Sequence, residues 1–146
     1  MSEQQGQKVR VTLRWIQILD KLEPAWKEKG EFQFKATVTS NNFGGVVQET
    51  QMPEQGHYAI GDKPGWNRLE KLNKVLFDGE VVDDLTIQMT GIELDLMSAD
   101  DELERYARTF EGDPASWVGH YEPADEGSTD PEAMSNWRIC YDIEKL

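Results

Sequence analysis

GEFQFKATVTS, residues 30–40, alternates without a break: Phe32, Phe34, Ala36 and Val38 fall on one side, Gln33, Lys35, Thr37 and Thr39 on the other. Successive side chains of a strand point to opposite faces, so this period of two predicts one face in a core and one in water. Upstream, Val9, Val11, Leu13 and Trp15 repeat the pattern against Lys8, Arg10, Thr12 and Arg14. The parity then shifts, because Trp15 and Ile16 are adjacent and Ile18 follows; a bulge or bend accounts for that. The strand ends at Asp20, before the charged loop DKLEPAWKEKG.

Downstream, NNFGG reads as a turn, and Val46 and Val47 start a further strand. Residues 51–68 hold two prolines and three glycines, which predicts loops around a short strand at His57–Ile60. LEKLNKVLF suits a helical turn through Leu69, Leu72 and Leu76, or a strand through Val75 and Phe77. In DDLTIQMTGIELDLM, Leu85, Ile87 and Met89 share a face, while Ile92, Leu94 and Leu96 take the opposite parity after Gly91. A glycine bulge is one reading, two partly buried faces the other. Ser98 and Asp101 make a capping-box variant, and Leu103, Tyr106, Ala107 and Phe110 form an i, i+3, i+4, i+7 stripe. These predict one short helix over 98–110. SWVGHY predicts a strand, residues 122–135 an acidic loop, and NWRICYDIE a last strand with Trp137, Ile139, Tyr141 and Ile143 inward.

Seven or eight strands, one short helix and no alternating strand–helix rhythm predict an all-β fold, an antiparallel β-sandwich. The chain has 146 residues, the size of one domain. Residues 1–7 read as a polar tail and 8–146 as a single sandwich. Trp15, Phe32, Phe34 and Trp137 are expected in the core. Trp26, Tyr58, Trp66 and Trp117 lie in or beside loops, as lids over the sandwich ends or as anchors for a partner.

Charge narrows the function. The net charge is −13, from 28 acids against 15 bases. That opposes nucleic-acid binding, which needs basic stripes to neutralise phosphates. It also opposes docking on anionic membranes except through a bridging cation. No run approaches the ~18 apolar residues of a membrane span, and MSEQQGQK has no apolar signal core. Cys140 is the only cysteine, so no internal disulfide forms, which suits a reducing, cytoplasmic setting. The bases gather in residues 8–74, whereas no base lies between Lys74 and Arg105 or between Arg108 and Arg138.

The sharpest constellation is Glu93-x-Asp95-x5-Asp101, with Asp100 alongside. Alternation places Glu93 and Asp95 on one side at a strand end, and the following loop can return Asp100 or Asp101 toward them. Hard cations such as Ca²⁺ take six to eight oxygens in such loops. At about 5 Å and an effective dielectric of about 20, two carboxylates repel by roughly 3 kcal/mol. Converged carboxylates therefore need a cation, raised pKa values or separation. The competing reading is ordinary: a helix N-terminus favours Asp100, Asp101 and Glu102, and a solvated sheet face accommodates Glu93 and Asp95.

This acid-x-acid-x5-acid spacing resembles the third calcium loop of the C2-domain family, eight-stranded β-sandwiches that bind calcium and phospholipid. The resemblance places Glu93, Asp95 and Asp101 at ligand positions, and Asp20 resembles a ligand of that family's first calcium loop. It implies calcium as cofactor and calcium-mediated membrane or ligand binding. The chain departs from the family in having Glu at 93, Trp26 where a further acid would stand, and GEFQF in place of a Ser-Asp-Pro-Tyr stretch.

Asp125, Glu126, Asp130 and Glu132 form a second acidic group, without the EF-hand pattern. His57 and His120 with one cysteine do not suggest a structural zinc site. A Cys140–His dyad is conceivable, but Cys140 sits mid-strand, where thiols are mostly inert. No nucleophile elbow, phosphate loop or dinucleotide fingerprint occurs. The leading expectation is a non-enzymatic, acidic interaction module that binds a protein partner or acts as a subunit of a larger assembly. A calcium-dependent binder is second, and a small carboxylate hydrolase third.

Overall fold

The computed structural model describes residues 7–18, 29–40, 46–61, 68–81, 84–93, 101–123, 131–134 and 137–146. Within them the backbone forms β1 (Gln7–Ile18), β2 (Lys29–Ser40), β3 (Val46–Met52), β4 (Tyr58–Gly61), β5 (Arg68–Leu69) and β6 (Lys74–Val81). Then come β7 (Asp84–Glu93), β8 (Asp101–Glu102), β9 (Tyr106–Glu111), a 3-10 turn at Pro114–Trp117, β10 (Gly119–Tyr121) and β11 (Trp137–Lys145). One sheet runs β10–β11–β1, with β5 and β6 sharing the far side of β1. The other has β3 and β4 along one side of β2, then β7, then β8 and β9. Every pairing is antiparallel. The fold is an all-β sandwich, and it has more strands than the pattern counted because several edge strands are only two to four residues long.

The core is built from the alternating rows. Phe32, Phe34, Ala36 and Val38 of β2 are buried, as are Leu85, Ile87 and Met89 of β7. Opposite them lie Val9, Val11 and Leu13 of β1 and Trp137, Ile139, Tyr141 and Ile143 of β11. Phe34 and Trp137 stack across the sheets with centroids 5.5 Å apart. Each such side chain contributes about 1.5–3 kcal/mol by leaving water.

The parity shift in β1 is a bulge: the β1–β11 register slips between Leu13 and Trp15. It turns Ile16 and Ile18 into the core, fully buried. Trp15 is thereby corrected from a core residue to a half-buried one on the outer face, with the Arg68 guanidinium 4.1 Å over its ring.

No bulge follows at Gly91. The β2–β7 register runs on through Phe34↔Gly91 and Phe32↔Glu93. Glu93 is fully buried on the core-facing parity, and Ile92 is half-buried on the other face.

The helix expected over 98–110 is not formed. Residues 101–102 and 106–111 are strands paired with β7, and Leu103 donates its N–H to the Gly91 carbonyl at 2.8 Å. Tyr106 and Phe110 are buried while Ala107 is exposed, so the period is two. β7 supplies backbone partners along this stretch, and that tertiary pairing outweighs a marginal local helix preference.

Candidate functional site

Among the described residues, the outer face of the first sheet gathers a histidine, the cysteine, carboxylates and arginines. On β11 the inward row leaves Arg138, Cys140, Asp142 and Glu144 pointing outward. β10 pairs with β11 so that His120 lies opposite Asp142 and Tyr121 opposite Tyr141. One step further along this ladder, Glu122 comes beside Cys140. His120-x-Glu122 and Cys140-x-Asp142 therefore form a two-by-two block on one face, as period two requires.

The block is tightly connected. His120 Nδ1 is hydrogen-bonded to Asp142 Oδ1, and His120 Nε2 lies 2.9 Å from Glu122 Oε2 and 3.6 Å from Cys140 Sγ. Arg14 Nε donates to the second Asp142 oxygen at 2.6 Å, and Arg14 Nη1 donates to Asn73 Oδ1 at 3.0 Å. Hydrogen bonds to Glu122 and Asp142 outweigh partial burial and hold the His120 pKa above its ordinary value. Burial opposes ionisation of Asp142, but Arg14 and His120 more than compensate and keep its carboxyl below the usual range. Burial, then the Glu122 and Asp142 carboxylates, push the Cys140 thiol up to about 12. A thiol so placed is a poor nucleophile, which argues against a Cys–His catalytic dyad.

Beside this block, Gln17 Oε1 accepts from Arg138 Nη1 at 2.9 Å and from Arg68 Nη2 at 3.3 Å. Arg138 Nη2 donates to the Pro123 carbonyl at 3.2 Å. The Arg68 and Arg138 guanidiniums lie 4.1 and 5.8 Å from the Trp15 ring centroid. These cations are held by stacking and hydrogen bonds.

A second polar network lies inside the sandwich. Tyr106 donates to Glu132 Oε2 at 2.6 Å, and Arg108 Nη1 donates to the same oxygen at 2.9 Å. Because the one Tyr106 proton goes to Glu132, Tyr141 donates to Tyr106 across 2.6 Å. Burial, with Tyr141 and Glu132 nearby, drives the Tyr106 phenol pKa upward. Glu132 is thus a buried partner of an arginine and a tyrosine rather than part of a free acidic loop. Asp125, Glu126 and Asp130 lie outside the described residues.

Of the calcium-ligand candidates, Glu93 is buried at the end of β7, and Asp101 is its cross-strand neighbour on β8. Asp20, Asp95 and Asp100 lie outside the described residues, as do Trp26 and Trp66. Trp117 is buried against Phe110, and Tyr58 packs half-buried near Phe34. His57 sits 3.9 Å from Glu31. On the second sheet, a shallow depression of about 240 Å³ lies over Gly91, bordered by Gln33, Lys35, Gln51 and Thr90.

The His120–Glu122–Cys140–Asp142 block escaped the sequence reading because histidines and cysteines were counted rather than placed. The usable signal was two i, i+2 pairs on strands of like parity. Their adjacency depends on β10 returning beside β11 after a long connection. No protein-family model matches the chain, and no curated protein matches its sequence. Among the described residues, no helix is long and apolar enough to cross a membrane.

Proposed function

We propose that the protein is a non-enzymatic interaction module, a β-sandwich that docks a basic protein partner as a subunit of a larger assembly. The observation that carries this reading is the disposition of charge. The arginines are largely buried or paired with acids of the same chain: Arg138 is buried, Arg108 pairs with Glu132, Arg14 with Asp142, and Arg10 with Asp78. The edge formed by residues 102–122 meanwhile exposes Glu102, Glu104, Glu111, Asp113 and Glu122. A surface of one sign steers a partner of the other sign and rejects phosphate backbones.

Binding of fluorescent oligolysine and oligoglutamate, in chelator and at low and high salt, tests this. Oligolysine should bind and weaken with salt. The double variant E111K/D113K should weaken it more than E49K/E54K on the opposite edge. Equal effects of the two double variants, or no oligolysine binding, would refute the reading.

Calcium-dependent ligand or membrane binding, as the C2 resemblance implies, is the second reading. It is favoured by Glu93 and Asp101 being register partners of adjacent strands at one end of the second sheet. A ligand that binds only the native state raises stability by RT ln(1 + [L]/Kd). The melting temperature should then rise in millimolar calcium relative to chelator; an unchanged melt removes this reading.

A further inference from the structure

We propose that His120, Glu122 and Cys140 form a zinc-binding site on the outer face of the first sheet, with Asp142 as the residue that positions His120. The proposal is independent of the basic-partner reading.

Three donor atoms of the right kinds converge. One atom each from His120, Glu122 and Cys140 lie within 4.8 Å of one another. Zinc binds thiolate sulfur at about 2.3 Å and imidazole nitrogen at about 2.0–2.1 Å. At a tetrahedral angle those bonds set sulfur and nitrogen about 3.5 Å apart. Cys140 Sγ and His120 Nε2 are 3.6 Å apart. The Glu122 carboxylate lies 2.9 Å from Nε2 and within 4.8 Å of Sγ, so a rotation of its side chain brings an oxygen to the third ligand position. Its side chain is about half exposed (45%) and free to do so.

The surroundings fit as well. A metal-bound histidine usually gives its other ring nitrogen to a carboxylate, which fixes its orientation. Here Asp142 holds His120 Nδ1 with one oxygen and is itself clamped by Arg14 through the other. Zinc displaces the Cys140 thiol proton as it binds, and the resulting thiolate and the Glu122 carboxylate balance its two charges. His120 and Glu122 are exposed, which leaves the fourth position to water. Sulfur and imidazole donors select zinc over calcium or magnesium, which take oxygen.

The test uses the whole chain, stripped with chelator and titrated with Co²⁺ and then Zn²⁺. Bound cobalt should give a near-ultraviolet thiolate-to-metal band and intense visible bands of a tetrahedral site, and one equivalent of zinc should bleach both. The side chain of Glu122 reaches solvent, so E122Q should fold normally and weaken zinc binding at least about tenfold. D142N should weaken it about 10–100-fold and alter the visible cobalt bands. C140S should abolish the charge-transfer band. A wild-type titration without that band, zinc affinity unchanged in E122Q, or displacement of cobalt by calcium would each overturn the site.

Discussion

Gly91 shows how far a single hydrogen atom matters in this core. A Cβ there would stand 2.7 Å from Leu103 Cδ1 and 2.8 Å from Phe34 Cδ1. Both neighbours are buried, so neither can simply swing away into solvent. Overpacking of this kind costs about 1–3 kcal/mol, and a chain of this length loses roughly 2–4 °C of melting temperature per kcal/mol. G91A should therefore melt several degrees lower while keeping the same far-ultraviolet spectrum.

Tyr106 is the second sensitive position, since its hydroxyl joins Glu132 to Tyr141. Hydrogen bonds to charged groups contribute about 1.5–3 kcal/mol, and neutral ones about 0.5–1.5 kcal/mol. In urea denaturation Y106F should thus lose more stability than Y141F. The double variant should lose less than the sum, because the two hydroxyls share one bond. Strict additivity would show that they act independently.

At the scale of elements, the two sheets are also tied along an edge. Gln48 on β3 donates to the Asp78 carbonyl at 3.0 Å and accepts the Asp78 N–H at 3.1 Å. One side-chain amide thus occupies both backbone groups of a residue on β6, as a neighbouring strand would. Q48A should cost about 0.5–1.5 kcal/mol and accelerate hydrogen exchange of the Asp78 amide, with no change at residues in the middle of β7.

The elements also show what was legible in the sequence. β2 and β11 carry unbroken polar–apolar alternation and are legible with their inward faces; β1 is legible up to Leu13 together with its bulge, although Trp15 falls on the outer face rather than in the core, and β7 is legible from Leu85 to Met89. β9 is not, because Leu103, Tyr106 and Phe110 fit a helical stripe as well as a strand approached from a buried bend. Only the exposed Ala107 and the pairing with β7 separate the two. Alternation places Glu93 beside Asp95 on one side of a strand end, in a carboxylate cluster or on a solvated face. Instead the ladder continues straight through Gly91 and carries Glu93 inward. The site around His120 was hidden for a different reason: it joins residues 120–122 to 140–142, and sequence periodicity says nothing about which strands become neighbours.

The whole molecule is closed by its two most distant strands. β1 and β11 lie side by side in the first sheet, paired from Val9↔Lys145 to Ile18↔Trp137 with the single slip between Leu13 and Trp15. Leu146 N donates to the Lys8 carbonyl at 2.9 Å. β11 places four large side chains in the core and covers one edge of β1. Removing residues 137–146 would expose that edge and empty the space opposite Phe34, so this truncation should show no cooperative unfolding. The same adjacency allows the opposite experiment. Residues 7 and 146 are near enough for a short glycine linker, and the turn at Gly56 between β3 and β4 is exposed. A circular permutant joined at 146–7 and opened at Gly56 keeps every strand and every pairing. It changes only the order in which they are connected, and hence the entropy of bringing β1 and β11 together. It should unfold in one cooperative step and keep the wild-type near-ultraviolet spectrum. A permutant that fails to fold, beside a truncation that folds, would mean that the β1–β11 ladder does not hold the sandwich together.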